Sequence, residues 1–259
     1  MGSDPIPAAF LGHGDPMNAL ADNRWTQAWR DFGASVPTPR AIVVVSAHWY
    51  VGSTLLTAMA APRTIHDFYG FPPALYEVRY PAPGSPEIAA EIAEAAKPRW
   101  IGLDADGWGI DHGTWSVLVH AFPRADIPVI QLSVNGSEGF DDHFDLGVRL
   151  DPLRSQGILV LGSGNVVHNL GLLDARAGQP TFDWAVRFDQ ACTASMAEEP
   201  ERTGALVDHP DYGRAAPTPD HFLPLAPIAG IAAASGTAAH VLVDGYVGRS
   251  LSMTAFRVG

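Results

Sequence analysis

Short apolar runs, rich in Val and Ile, alternate along this chain with segments of helical periodicity, and few folds accommodate such a pattern. Runs of this length and β-branched content are typical of buried strands. The predicted strands are Pro7–Leu11, Ala41–Ser46, Thr54–Met59, Val129–Val134, Gly157–Leu161, His240–Asp244 and Leu251–Phe256. The predicted helices are Asn23–Phe32, Ser85–Lys97, Thr114–Phe122, Asp141–Arg154, Phe182–Glu198 and Pro219–Ala234. This alternation predicts an α/β fold with a central, mostly parallel or mixed sheet flanked by helices.

The length of the chain, 259 residues, suits one large α/β domain, and we expect a single domain that spans residues 1–259. Residues 60–86 form a stretch rich in Pro and aromatic side chains between two predicted elements. A connection of this length is unusual in a compact domain, and loops of this kind are often functional.

Composition excludes several classes of partner. The formal net charge of −12 and the pI of about 5.1 argue against nucleic acid or an anionic membrane as the main partner. The single cysteine, Cys192, allows no intrachain disulfide and excludes zinc sites of the CxxC type. The first residues carry no basic segment before an apolar stretch, and no run of about 18 apolar residues occurs. We therefore expect neither a signal peptide nor a membrane span, and predict a cytoplasmic location.

Three of the apolar runs lead into a histidine. His13 follows the first run between two glycines, His48 follows the second, and His168 follows the run that ends in Gly-Ser-Gly. If these three strands are parallel neighbours, their imidazoles converge, because open α/β sheets bind ligands outside the carboxyl ends of their strands. The glycines let the backbone turn sharply and approach a ligand closely. A lone histidine at a strand end is most often a structural residue, but three in one chain favour a functional cluster.

Three further histidines have restricted backbone surroundings. His112 precedes a predicted helix with Asp111 beside it, His221 follows a Pro-Thr-Pro-Asp segment, and His66 lies in the long loop. Imidazole is both the commonest metal-binding side chain and a general base at neutral pH. Four or five histidines exceed what acid–base chemistry needs, so we expect a metal, with Fe(II), Zn(II) or Mn(II) suiting histidine and carboxylate ligands. The remaining histidines are interpreted as structural: His120, His143, His209 and His240.

Motifs of several other enzyme classes are missing from the sequence. No HExxH helix, Walker A loop, GxSxG elbow or GxGxxG turn occurs, which argues against proteases, NTPases, serine hydrolases and dehydrogenases with a nucleotide cofactor. Two alternatives to a redox enzyme stay open at this point. The same histidines suit a zinc-dependent hydrolase or amidase, with Asp15 or Asp111 as its base, or a protein that stores or senses zinc.

Six sequence segments carry a resemblance over most of the chain. They are Gly12–Met17, Val45–Trp49, Thr64–Pro72 together with Tyr80–Gly84, Asp111–Trp115, Gly162–Leu170 and Pro217–His221. In this order they resemble the class III extradiol ring-cleaving dioxygenases, specifically the branch that contains 4,5-DOPA extradiol dioxygenase. The resemblance implies an α/β catalytic domain with a metal bound by His13, His48 and His221, although the wider class usually has a glutamate as third ligand.

The resemblance also implies roles for the other residues of these segments. His168 would be the catalytic acid/base, or would close a four-histidine zinc site when substrate is absent. His112 would hydrogen-bond the substrate or oxygen, oriented by Asp111. The residues expected to contact the substrate are His66, Tyr69, Trp49 and Asp111. Phe68 and Phe71 would add apolar walls that exclude water from the reactive intermediates.

The activity implied by the resemblance is the opening of a catechol ring, of a DOPA-like substrate, with O₂ to give a semialdehyde. It implies one divalent metal per chain, Fe(II) for activity or Zn(II) as bound, and no nucleotide cofactor. The expected partners are a small aromatic diol and O₂, and neither nucleic acid nor a membrane. The expected assembly is a monomer or a small homo-oligomer.

Overall fold

A computed structural model describes residues 4–174, 176 and 179–259. Its strands are β1 (Ala8–Gly12), β2 (Ala41–Val51), β3 (Leu55–Thr57), β4 (Gly102–Asp104), β5 (Val129–Asn135), β6 (Ile158–Gly164), β7 (Ala239–Val243), β8 (Tyr246–Val247), β9 (Leu251–Ser252) and β10 (Ala255–Val258). Its α-helices are α1 (Arg24–Ser35), α2 (Pro73–Glu77), α3 (Pro86–Ala95), α4 (His112–Ala121), α5 (Phe140–Arg154), α6 (Asp183–Glu198), α7 (Tyr212–Ala215) and α8 (Leu225–Ser235). Short 3₁₀ turns cover Pro16–Leu20, Leu170–Leu172, Pro200–Asp208 and Pro219–His221.

Eight strands form one mixed sheet in the order β4-β3-β5-β2-β6-β1-β10-β7. β6 pairs in parallel with both β1 and β2, and β2 also pairs in parallel with β5. β10 and β7 extend the sheet with antiparallel pairing. The strands that lead to His13, His48 and His168 are therefore parallel neighbours, which is the condition under which their imidazoles converge. Their carboxyl ends meet at one edge of the sheet, where α/β proteins bind their ligands.

Successive side chains of β2 enter two different apolar cores. Val43 and Val45 pack into the core covered by α5 and α8, whereas Ile42 and Val44 pack into the core covered by α1 and α4. This alternation follows from the period of two in a strand, which points neighbouring side chains to opposite faces. Because both faces of the central strands are buried, their sequences are continuous apolar runs rather than alternating ones.

The predicted strand Leu251–Phe256 is two strands rather than one, which corrects the sequence-based expectation. β9 pairs with β8, and β10 pairs with β1 and β7. Between them the backbone lies against β1, so closely that a Cβ placed on Gly12 would lie 2.8 Å from the carbonyl carbon of Met253. Met253 and Thr254 therefore belong to neither strand.

The predicted helix Pro219–Ala234 begins later, as α8 at Leu225. The segment before it forms the 3₁₀ turn Pro219–His221, and Pro224 caps the helix. Proline lacks the backbone N–H that an α-helical interior requires, which accounts for the late start. The long loop of residues 60–86 contains only one short helix, α2. In the part of the chain that the structure describes, no helix is long and apolar enough to cross a membrane.

Candidate metal centre

Five histidines meet in one cavity of about 260 Å³ at the carboxyl edge of the sheet. They are His13, His48, His112, His168 and His221. Six apolar side chains also line the cavity, and we call them the apolar wall: Phe68, Phe71, Leu170, Leu173, Val247 and Leu251. The segment Gly14–Pro16 completes the lining. One side of the cavity thus carries imidazole nitrogens, and another side is apolar.

Irregular backbone at two strand ends places the first two imidazoles. His13 directly follows β1, and Gly14 then turns the chain away with a φ of +63°, a conformation that favours glycine. His48 lies near the end of β2, where the register with β5 shifts between Ser46 and Tyr50. A shift of this kind breaks regular pairing and redirects side chains, which is common beside active sites.

Neighbouring groups favour a proton on Nδ1 of both His13 and His48. The Ser163 hydroxyl donates to the carbonyl of Gly113, so it accepts from His13 Nδ1 at 3.0 Å. His48 Nδ1 lies 3.3 Å from Asp67 Oδ2, whose negative charge favours a proton on that nitrogen. The Nε2 atoms of the two rings face each other at 3.1 Å. Two imidazoles on one tetrahedral metal have nitrogens about 3.4 Å apart, so this spacing suits a shared metal. These residues therefore fit a divalent metal.

Asp67 contacts the imidazoles of His48 and His112 and the first turn of helix α4. Its Oδ2 lies 2.9 Å from His112 Nδ1 as well as near His48, and its Oδ1 accepts a hydrogen bond from the backbone N of His112 at 2.9 Å. The contact at His112 Nδ1 lacks hydrogen-bond alignment and is mainly electrostatic. One carboxylate thus favours a proton on Nδ1 of both rings. His13, His48 and His112 offer donor atoms that all lie within 4.8 Å of one another.

His221 enters the cavity from the 3₁₀ turn Pro219–His221. Its Nδ1 donates a hydrogen bond to the carboxylate of Asp220, which leaves Nε2 without a proton. The centroid of its ring lies 5.2 Å from that of His13 and 5.0 Å from that of His48. His221 is not in the group of histidines whose donor atoms all lie within 4.8 Å of one another, which is His13, His48 and His112. Its carboxylate partner orients the ring, as second partners of metal-binding histidines generally do.

His168 lies flat against His221, with ring centroids 3.5 Å apart and an angle of 3° between the planes. Its backbone is held on both sides, by a hydrogen bond from its N to the carbonyl of Ala215 at 2.7 Å and by a β-bridge with Leu251. Gly164 permits this packing, because a Cβ at that position would lie 2.2 Å from the carbonyl oxygen of His221.

Asp111 positions His112 through the backbone and does not line the cavity. It caps helix α4, of which His112 is the first residue, and its Oδ1 accepts from the backbone N of Thr114 at 3.1 Å. Ser46 Oγ and Gln131 Nε2 also donate to its carboxylate, at 2.8 and 2.6 Å. Burial raises the pKa of this carboxyl. Asp111 therefore lies behind His112 and is not among the residues that line the cavity.

The structure does not bring the other three predicted substrate contacts to the cavity. Tyr69 is 92% exposed and points away, and Trp49 is buried in a stack with Trp108 whose planes differ by 2°. His66 packs behind Phe68, with ring centroids 5.8 Å apart. Successive residues of the loop point in different directions, so Phe68 lines the cavity although its neighbours in sequence do not.

Burial determines the protonation of the imidazoles. Desolvation, reinforced by the neighbouring histidines, lowers the pKa of His13 and of His48 well below its usual range. Desolvation and then His221 lower the pKa of His168 to about 3. All three rings are neutral at pH 7, which is the form that binds metals and accepts protons.

Three functional partners were not singled out in the sequence: Ser163, Asp67 and Asp220. Asp67 and Asp220 each adjoin a histidine of a recognisable segment, and this adjacency is the only signal that could have found them. Ser163 carries no signal beyond its location in a Gly-Ser-Gly segment. Their roles depend on contacts with residues distant in the chain, which the sequence pattern does not report.

Comparisons with known proteins agree with this geometry. Residues 11–254 match the family described as the catalytic LigB subunit of aromatic ring-opening dioxygenase. A protein of Escherichia coli (strain K12) called 4,5-DOPA dioxygenase extradiol is 43% identical over 263 residues, covering 100% of this chain and 97% of that protein. A Beta vulgaris protein of the same name is 34% identical and covers 96% of this chain and 94% of its own length.

A solved structure confirms the fold. The crystal structure of an uncharacterized protein from Escherichia coli K12 matches with a TM-score of 0.86 and 39% identity, over 98% of this chain and 100% of that one. The family match and the full-length relatives do not favour a zinc-dependent hydrolase, and they identify an enzyme rather than a zinc store. The chain belongs to the LigB family and is an extradiol ring-cleaving dioxygenase, an oxidoreductase that acts on an aromatic ring with O₂.

Proposed function

We propose that this enzyme opens the ring of a DOPA-like catechol with O₂ and gives a semialdehyde, at one metal held by His13, His48 and His221. The observation that carries the proposal is that the Nε2 atoms of His13 and His48 face each other at 3.1 Å, a spacing that suits two ligands of one metal. The hydrogen bond from His221 Nδ1 to Asp220 leaves a third Nε2 available in the same cavity. Relatives that carry DOPA in their names support the class of substrate.

Fe(II) is the metal that we propose for activity, and Zn(II) is the metal that the same histidines would also hold. When bound, Fe(II) would lower the pKa of the catechol hydroxyls and let electrons pass from the ring to O₂. Three neutral imidazoles leave the positive charge of a divalent ion uncompensated, and a doubly deprotonated catechol would offset it. No nucleotide is required for this chemistry.

His168 is proposed to take a proton from a catechol hydroxyl. Its pKa of about 3 keeps the ring neutral at pH 7, so its lone pair is available. In the absence of substrate, the same ring would serve as a fourth ligand of zinc.

His112 is proposed to hydrogen-bond the substrate or oxygen. It lines the cavity as the first residue of α4, and the N-terminus of a helix favours negative charge nearby. Asp67 holds its ring and its backbone N. Phe68 and Phe71 cover the cavity from the long loop and would keep water from reactive intermediates.

The test is to load the metal-free protein anaerobically with Fe(II), add a catechol, admit O₂, and follow O₂ uptake together with the visible spectrum. Stoichiometric uptake with a new yellow absorption that depends on pH is expected for a ring-opened semialdehyde. Zn(II)-loaded protein is the matched control and is expected to bind catechol without O₂ uptake. Absence of uptake across a panel of catechols by the Fe(II)-loaded protein would contradict the proposal.

Several sequence-based predictions stand beside this proposal without a direct test. They are the extent of one catalytic domain over residues 1–259, the cytoplasmic location, and the assembly as a monomer or small homo-oligomer. Substrate contact by His66, Tyr69, Trp49 and Asp111 also stays a prediction. The side chains that line the cavity, Phe68 and Phe71, are better placed for this role.

A further inference from the structure

We propose that the cavity selects single-ring catechols whose ring substituent is short and carries no net negative charge, an inference that rests on the proposed function. A catechol whose two hydroxyls face the imidazoles directs its remaining ring positions toward the apolar wall. The cavity of about 260 Å³ lies just below the range of about 300–1,000 Å³ that is usual for ligand pockets. The space therefore suits one ring and a short side chain.

The charge of the cavity rim is negative. Among the described residues that line the cavity, Asp15 is the one ionisable side chain that is not a histidine. Its Oδ1 accepts a hydrogen bond from the backbone N of Met17 at 2.7 Å, which holds the carboxylate beside the start of a 3₁₀ turn. An anionic substituent would meet repulsion here, whereas a cationic substituent would find a partner.

No lysine or arginine is among the described residues that line the cavity. The two arginines of the long loop, Arg63 and Arg79, donate to backbone carbonyls. Arg176 and Arg249, in segments next to the apolar wall, both pair with Asp174. The sequence positions outside the described residues hold Met, Gly, Ser and Ala, which have no cationic side chain: Met1, Gly2, Ser3, Ala175, Ala177 and Gly178.

A carboxylate on the substrate would therefore lose its hydration on binding without forming an ion pair. Such a loss costs free energy for any buried charge. An alkyl group of the same length would gain apolar contact instead. We expect kcat/KM to be at least about tenfold higher for an uncharged substituent than for a carboxylate of equal length, a ratio within what small differences in a pocket produce. L-DOPA is zwitterionic and should fall between, because its ammonium group can pair with Asp15.

The experiment compares 4-ethylcatechol with 3,4-dihydroxyphenylacetate, which differ in charge and not in chain length, and adds dopamine and L-DOPA. Turnover is measured as O₂ uptake by Fe(II)-loaded enzyme, and binding is measured separately by calorimetry on Zn(II)-loaded protein. The expected order in both measurements is 4-ethylcatechol above 3,4-dihydroxyphenylacetate, with dopamine above L-DOPA.

Two variants test the physical cause. Leu173→Arg places a cation in the apolar wall at a side chain that is 45% exposed, and should raise kcat/KM for the carboxylate relative to 4-ethylcatechol by about tenfold. Leu172→Arg is the matched control, because Leu172 is 44% exposed and does not line the cavity, and it should leave that ratio unchanged. Asp15→Asn keeps the cap of the turn and should shift the ratio in the same direction as Leu173→Arg.

The two measurements separate failure of this inference from failure of the proposed function. Equal or better turnover and binding of the carboxylate would overturn the selection. Binding in the expected order, with no O₂ uptake from any catechol, would support the selection and refute the proposed function. Failure to bind any catechol would refute both.

Discussion

Replacement of Asp67 by Asn tests how the metal centre is held together. The carboxylate lies 3.3 Å from His48 Nδ1 and 2.9 Å from His112 Nδ1, and it accepts a hydrogen bond from the backbone N of His112. Asn has almost the same shape, so its amide oxygen can keep the bond to the backbone. Its amide nitrogen then faces both imidazoles and donates a proton, whereas the carboxylate attracted one. Both rings are then driven to carry their own proton on Nε2.

The magnitude follows from the number of rings affected. A ring protonated on Nε2 has no lone pair there for a metal, and loss of the partner of one metal-binding histidine lowers metal affinity roughly 10- to 100-fold. Of the two rings that Asp67 faces, only that of His48 belongs to a proposed ligand, so we expect a loss within this range, with about 100-fold as its upper end. This factor corresponds to about 2.7 kcal/mol, at about 1.36 kcal/mol for each factor of ten.

The assay is the affinity for Zn(II), measured by competition with a chromophoric chelator at pH 7.5, together with the visible spectrum of the Co(II)-loaded protein. The spectrum reports the ligand geometry, which a merely structural change away from the metal would leave intact. Asp22→Asn is the control, since Asp22 is an exposed partner of Arg30. The melting temperature of the metal-free variant separates a loss of folding from a loss of binding. Affinity within about twofold of the original protein, with an unchanged Co(II) spectrum, would refute the reasoning.

Three further predictions concern single side chains. His168→Ala should keep metal content nearly intact while lowering turnover by roughly 100-fold or more, because a proton acceptor is lost. A variant with stoichiometric iron and full activity would show that His168 is not this acceptor. Gly164→Ala should lower stability by about 1–3 kcal/mol in urea unfolding and weaken metal binding, because the new methyl group would lie 2.2 Å from the His221 carbonyl; unchanged values for both would contradict it. Nε2 of His143 accepts a hydrogen bond from the backbone N of Asn135, and burial lowers the pKa of this imidazole. Below pH 6.5 the folded state therefore binds fewer protons than the unfolded state. The stability that it contributes is complete above pH 6.5 and is lost as the pH falls through the lowered pKa. Relative to His143→Gln, the original protein should therefore lose up to about 1.4 kcal/mol of stability per pH unit below pH 6.5. Urea unfolding of both proteins at pH 7, 6 and 5 measures this, and a difference in unfolding free energy that stays the same at all three pH values would rule it out.

Agreement between sequence and structure is best at the centre of the sheet. β2 and β6 are buried on both faces, so their apolar character is continuous and visible without any knowledge of their neighbours. Agreement is poorer where pairing ends. β2 continues to Val51 through polar and aromatic residues, because Tyr50 and Val51 resume pairing with β5 after the register shift, and no local pattern announces that.

The sequence did not predict β4 or β8, or the division of Leu251–Phe256 into two strands. It did predict the class of fold, the central strands and the set of histidines from which the centre is built. These properties depend on local patterns: apolar periodicity, glycine and proline beside histidine, and segments whose order resembles a family. Which side chains face the cavity, and which partners hold them, became visible in the folded chain. It turned Phe68 inward and Tyr69 outward, and it brought Asp67 to two imidazoles from other elements. Such choices depend on packing between segments far apart in the chain, and an imidazole acquires its tautomer and lowered pKa only from the groups that surround it after folding.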